Sequence, residues 1–111
     1  MQVRQILFYE NHFKDFFNKQ TEKTKSKIDD ILFMITILER VPEKFLKHIE
    51  GTEGLYEIRI TQGSNIFRIF CCFDQGKLVV LFNGFQKKTQ KTPKSEIEKA
   101  MRLKFEYFEK K

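Results

Sequence analysis

The chain has 111 residues, 41% of them hydrophobic and 32% charged, with a net charge of +6 at pH 7. That length suits one domain, residues 1–111, with a real core. The longest apolar stretch, Ile31–Leu38, falls far short of the roughly 20 residues of a membrane span, and the adjacent Cys71 and Cys72, with no third cysteine, suit neither a disulfide nor a zinc site.

Reduced, buried thiols in a cytoplasmic protein are the expectation. The N-terminus has no long apolar run, and Glu10 soon interrupts what there is. The charge is unevenly spread. Residues 1–50 carry nine Lys/Arg against eight Asp/Glu, whereas residues 51–111 carry twelve against seven. An excess confined to one half is what a nucleic-acid footprint or an acidic partner calls for.

In chain order, Val3–Phe8 reads as a first strand. The period then changes: Phe13, Phe16 and Phe17 fit a helical stripe, and Gln20-Thr21 breaks it. A second helix, running to about Arg40 and stopped by Pro42, carries Ile28, Ile31, Leu32, Ile35 and Leu38 at helical spacing. Phe33, Met34 and Ile37 widen its apolar face; burial on two sides is favoured over a partner-binding ridge. Residues 43–53 read as a polar connection with a short apolar staple, Phe45-Leu46, and His48 nearby as a minor candidate. Three strands follow at Leu55–Ile60, Ile66–Phe73 and Leu78–Phe85, separated by the Gly-containing connections Thr61–Asn65 and Asp74–Lys77. Thr92-Pro93 then reads as a cap and first residue of a last helix, with Ile97, Ala100, Met101, Phe105 and Phe108 as its apolar stripe. The order β-α-α-β-β-β-α gives an α+β domain: an antiparallel-rich, four-stranded sheet with an N-terminal helix pair and a C-terminal helix, the helices mainly on one face.

The meander carries its cations in telling places. Apolar residues on both sides of Ile66–Phe73 mark a central strand, so Arg68 is an arginine amid apolar neighbours, where charge is rare unless paired. Arg59 is on the polar side of the preceding strand, in line with Glu57. Beyond the third strand come Lys87, Lys88, Lys91 and Lys94, with no acid between Asp74 and Glu96. These cations can converge on one end and face of the sheet.

Conventional catalytic sets are mostly missing: no G-x-S-x-G, no P-loop, no cysteine with a matching histidine and no acidic metal site. No cofactor is implied. A cluster of permanent cations instead suits a phosphate whose negative charge grows during reaction, as when an RNA 2′-hydroxyl attacks its own 3′-phosphate. The plainer alternative is that Arg68 pairs with Glu57 and the lysines are merely solvated.

At these residues the sequence resembles a known family. GLYEIRI, NIFRIF and LFNGFQKKTQKTPKSEIEKA are similar to blocks of HigB-like toxins, a phage-derived branch of the RelE/ParE superfamily, most specifically at F-x-K-K-T-x-K-T-P over Phe85–Pro93. The resemblance covers nearly the whole chain. It implies a RelE-like fold and the toxin of a type II toxin–antitoxin system, monomeric without its helix-turn-helix antitoxin. It further implies a metal-independent, ribosome-dependent mRNA endonuclease. Carried over by position, Arg59, Arg68, Lys87 and Lys88 match the family's basic sheet residues and become the catalytic candidates, with Lys91 and Lys94 as RNA contacts. One departure is plain: several relatives place His or Tyr near the C-terminus as acid or base, and here a long helix follows the lysines. Two other classes stay open, a ParE-like non-enzymatic inhibitor of DNA gyrase and an RNA-binding phage accessory protein without activity.

Overall fold

Side chains alternate along a strand, so a long strand that is apolar on both sides needs a cover on each. The computed structural model, which describes residues 2–111, supplies two. Its elements are β1 (Gln5–Phe8), α1 (His12–Asn18), α2 (Glu22–Ile37), β2 (Leu46–His48), β3 (Tyr56–Gln62), β4 (Asn65–Asp74), β5 (Leu78–Lys87) and α3 (Lys94–Glu109). The strands form one sheet in the order β1-β5-β4-β3-β2. β1 runs parallel to β5, and the other neighbours are antiparallel.

Two expectations are corrected here. The sheet has five strands, because Leu46–His48 pairs with Ile58–Tyr56 at the far edge of the meander. Three residues are too few to show alternation, which is why this segment reads as a connection. The helices also do not gather on one face. α1 and α2 bury Phe13, Phe16, Ile28, Ile31 and Ile35 against Ile58, Ile60, Phe67, Ile69 and Leu81. α3 lies on the opposite face, where Ala100 and Leu103 meet Leu55, Phe70, Cys72, Val80 and Phe82. Burial of apolar surface at about 25 cal/mol per Å² makes both layers substantial. It also accounts for the cysteines: both are fully buried, and desolvation pushes the Cys72 thiol up to about 11 and Cys71 higher still.

The helices hold their places by specific contacts. Thr21 caps α2, its Oγ1 accepting from the Thr24 amide at 3.2 Å. α2 stops at Ile37, before Arg40 and well ahead of Pro42, with Leu38 already extended. The Arg4 guanidinium finishes this end by donating to the carbonyls of Ile35, Leu38 and Glu39, a cation where the helix dipole is negative. α3 begins one residue later than expected: Pro93 is its N-cap and Thr92 makes no capping bond. Its buried stripe runs through Ile97, Ala100, Leu103 and Tyr107, while Phe105 and Phe108 face outward, Phe105 at 67% exposure. The outer side of α2 is likewise open, with Phe33 64% exposed, so that helix is not buried on two sides.

Tyr107 decides how the last turn of α3 sits. Its hydroxyl donates to Asp74 Oδ2 at 2.6 Å, and Lys111 Nζ donates to Asp74 Oδ1 at 2.9 Å. These hydrogen bonds hold the Asp74 carboxyl below its usual range, while burial and the carboxylate beside it push the Tyr107 phenol up to about 12. The Asp74 contribution to stability is complete above the ordinary carboxylate pKa and is lost as pH falls through the folded value. That of Tyr107 is complete below about 10 and lost as pH rises towards 12.

β5 is second in the sheet, with β1 and β4 beside it and a helix on each face. Two local features fit it there. Between Ile69/Gly84 and Cys71/Leu81 the register shifts, leaving one extra residue on β5 and turning both Phe82 and Asn83 toward α3. Gly84 lies directly beneath α1, and a Cβ there would come within 2.6 Å of the Phe16 ring. Gly84→Ala is therefore expected to destabilise the fold by about 1–3 kcal/mol, the usual cost of overpacking. Urea unfolding checks it. An unchanged midpoint would mean that α1 can lift away without loss.

Candidate functional site

Whether the cations meet depends on register. On the face that carries α3, three cross-strand rows run toward the β3–β4 turn, the first of them still within the α3 core at the fully buried Phe70. The first holds Lys47, Glu57 and Phe70, the second Arg59, Arg68 and Phe85, and the third Thr61, Ile66 and Lys87. Successive rows on one face are about 7 Å apart, two residues along a strand. α3 packs on β4 and β5 nearer their other ends, with Glu96 of its first turn bound by Asn83 Nδ2 at 2.9 Å. Thr61, Lys47 and Ile66 are exposed, and Arg59 and Lys87 are partly so.

The structure thus brings Arg59, Arg68 and Lys87 onto one half-face, Arg59 and Lys87 partly exposed and Arg68 buried. Lys88 lies just past β5, Lys91 in the turn that follows, and Lys94 at the start of α3. All three are exposed, and neither they nor Lys87 form an ion pair among the described residues. They line the exit of the strand and are not part of the three rows. His48 is on the other face, beside Leu46, with its ring against Tyr56.

At the centre stands an ionic triad. Glu57 Oε2 is 3.2 Å from Arg59 Nε and 3.5 Å from Arg68 Nε. Arg68 is the deepest of the three, its side chain 7% exposed, and its Nη1 donates to the carbonyl of Phe67 at 3.1 Å. Burial lowers its pKa and the nearby Glu57 opposes that shift; a guanidinium nevertheless stays charged. Its Nε is sealed from solvent without a hydrogen bond. Arg68 is accordingly a charge set under the surface, whereas Arg59 is the guanidinium at the surface. One carboxylate against two guanidiniums and two lysines leaves the half-face at +3. Ile66, 36% exposed, and the half-buried Phe85 add an apolar floor beside Lys87. A phosphate backbone with an unstacked base fits such a surface.

Lys47 was not singled out in the sequence, because its place depends on a strand too short to see there. Glu57 was visible only as a neighbour of Arg59 and a partner for Arg68. The same chain end offers no metal centre: among the described residues, no three His, Cys, Asp or Glu side chains stand close enough to hold an ion. A concavity of about 470 Å³ does occur between Val3, Arg4, Asp74 and Lys77, at the opposite end of the sheet. Its one acid, Asp74, is already engaged by Tyr107 and Lys111, so it offers less chemistry than the cationic rows. No helix among the described residues is long and apolar enough to cross a membrane.

Comparison with known proteins gives one family. The model of the family described as phage derived protein Gp49-like matches residues 15–104, which include all three rows. No curated protein matches the chain.

Proposed function

The chain belongs to the Gp49-like family of phage-derived proteins, and from that premise we propose that it is the toxin of a type II toxin–antitoxin system and cuts mRNA on the ribosome. Gp49-like proteins are RelE-like and associated with such toxins. The finer reading, a HigB-like endoribonuclease, is supported by one observation above all. Arg59, Arg68 and Lys87 share one half of a sheet face, in adjacent cross-strand rows.

The reaction follows from that geometry. An mRNA phosphate lies over the second and third rows, with one non-bridging oxygen at Arg59 and another at Lys87. Attack by the adjacent 2′-hydroxyl raises the charge on those oxygens. Fixed cations stabilise that increase more than they stabilise the ground state. Arg68 contributes from beneath, through its field and by holding Glu57 and Arg59 in place. Lys88, Lys91 and Lys94 hold the strand on the way in. Because cations of the chain supply the charge stabilisation, the reaction needs no metal.

Analysis of products from programmed ribosomes tests this. The upstream fragment is expected to end in a 2′,3′-cyclic phosphate or its opened 3′-phosphate, and the downstream one in a 5′-hydroxyl. Cutting should survive EDTA when enough magnesium remains to keep ribosomes intact. A 2′-deoxy nucleotide at the scissile position should block cutting and leave binding unchanged. A 5′-phosphate product would overturn the mechanism. Intact mRNA together with accumulated gyrase–DNA cleavage complexes would replace the enzyme with an inhibitor of gyrase. The antitoxin expected is a helix-turn-helix protein with an acidic segment that covers the same half-face, in a complex that weakens with salt.

A further inference from the structure

The acid in the three rows has no part so far except as a counter-ion. We infer, on the reading that this half-face cleaves RNA, that Glu57 is a further catalytic residue, the base that takes the proton of the attacking 2′-hydroxyl.

Three features of the triad point that way. First, Glu57 is the only acid in the three rows, and it stands on the same side of the sheet as Arg59 and Lys87. A base must reach the reacting hydroxyl before its other properties matter. Second, the carboxylate is close to its cations without being consumed by them. Neither contact, at 3.2 and 3.5 Å, has hydrogen-bond geometry, and Glu57 accepts no other hydrogen bond among the described residues. Although the residue is only 8% exposed, neither of its oxygens is among the sealed, unpartnered atoms. Each oxygen therefore keeps some contact with solvent. A counter-ion kept only for stability is expected to be tightly hydrogen-bonded, since close geometry is what offsets its desolvation. Third, the spacing suits two separate roles. Glu57 on β3 and Lys87 on β5 are two rows and two strands apart at the backbone and form no ion pair with one another, and their long side chains can reach in from opposite sides of a phosphate bound between them.

The step balances. The Glu57 carboxylate accepts the 2′-hydroxyl proton as the 2′-oxygen bonds to phosphorus. The bond from phosphorus to the 5′-oxygen then breaks, and that oxygen takes a proton from the Lys87 ammonium. The products are a 2′,3′-cyclic phosphate and a 5′-hydroxyl. Glu57 is left protonated and Lys87 neutral, and exchange with water restores both. In the first movement Arg59 loses its counter-charge just as the phosphorane gains charge, so its attraction passes from the protein to the substrate.

Single-turnover cleavage on programmed ribosomes, alongside binding of a message with a 2′-deoxy nucleotide at the scissile position, tests this. Glu57→Gln keeps the shape and removes the base. It is expected to slow cleavage by roughly 10²- to 10⁴-fold, the usual worth of a general base, and to bind the deoxy message at least as tightly as the parent. A substrate with a 5′-sulfur leaving group, which needs no proton, should restore part of the cutting lost in Lys87→Ala, the part due to proton donation, but none of that lost in Glu57→Gln. Cleavage by Glu57→Gln within about threefold of the parent overturns the inference. So does a parallel loss of cleavage and binding, which marks a residue that only positions the arginines. If Glu57→Gln fails to fold, Glu57→Asp carries the same comparison, with rate loss alone in favour and joint loss against. A parent protein that leaves mRNA whole takes down the endonuclease reading as well. A parent that cuts beside a Glu57→Gln variant that also cuts takes down only the base.

Discussion

Alanine at Arg59 or at Lys87 is expected to slow mRNA cleavage by roughly 10²- to 10³-fold each, the effect of removing one preorganised donor from a developing oxyanion. Binding should weaken far less, because each change removes one cation from a surface that retains several. The slope of binding against salt should fall by about one for each, as for any lost phosphate contact. Lys91→Ala and Lys94→Ala should differ, reducing that slope without slowing the chemical step. Single-turnover rates at saturating protein separate the two classes. Equal effects at all four positions would mean that the half-face binds RNA without acting on it.

Arg68→Ala is expected to act chiefly on stability, with a loss of roughly 3–5 kcal/mol, the range for breaking a buried pair by removing one member. The side chain is almost fully enclosed and touches Glu57, Phe67 and the core of the central strand. Removing it leaves Glu57 with Arg59 alone and opens a cavity under the second row. Urea denaturation reads the loss directly. The double variant Arg68→Met, Glu57→Gln should lose clearly less than the sum of the two single changes, since no uncompensated charge then remains. A midpoint unchanged in Arg68→Ala would place the guanidinium at the surface, in direct reach of substrate.

These two expectations divide what the sequence leaves undivided. Arg59 and Arg68 both stand out as cations among strand residues, yet only register and depth show that one is presented and the other enclosed. The meander was legible because its strands are runs of seven to ten residues rich in Ile, Phe, Val and Leu and its turns carry glycine, as at Gly63 with its positive φ. The helix pair was legible for a similar reason, with the Phe13/Phe16 stripe and the Thr21 break in view. The edge strand β2 was not: three residues show no period, and its pairing is decided by β3 beside it. The side of α3 was misread because its sequence offers two apolar stripes. Ala100 permits close approach, and the hydrogen bond from Tyr107 to Asp74 selects the turn of the helix, leaving Phe105 outside. Its placement on the second face could have been argued. A central strand with Phe70 and Cys72 on one side and Ile69 and Cys71 on the other already calls for two covers.

The parallel edge has a bearing on the order of events during synthesis. Gln5 is paired with Leu78, about seventy positions later in the chain. The amino-terminal segment leaves the ribosome first and has no partner strand until β5 follows it. Contacts of such long span form late and slow the search for the folded state. β3, β4 and β5 can assemble as successive hairpins, but β5 ends at Lys87, so the three rows are incomplete until nearly the whole chain has emerged. A nascent copy therefore passes most of its time on the ribosome without the surface proposed to act on that machine. The antitoxin proposed above has that interval in which to arrive.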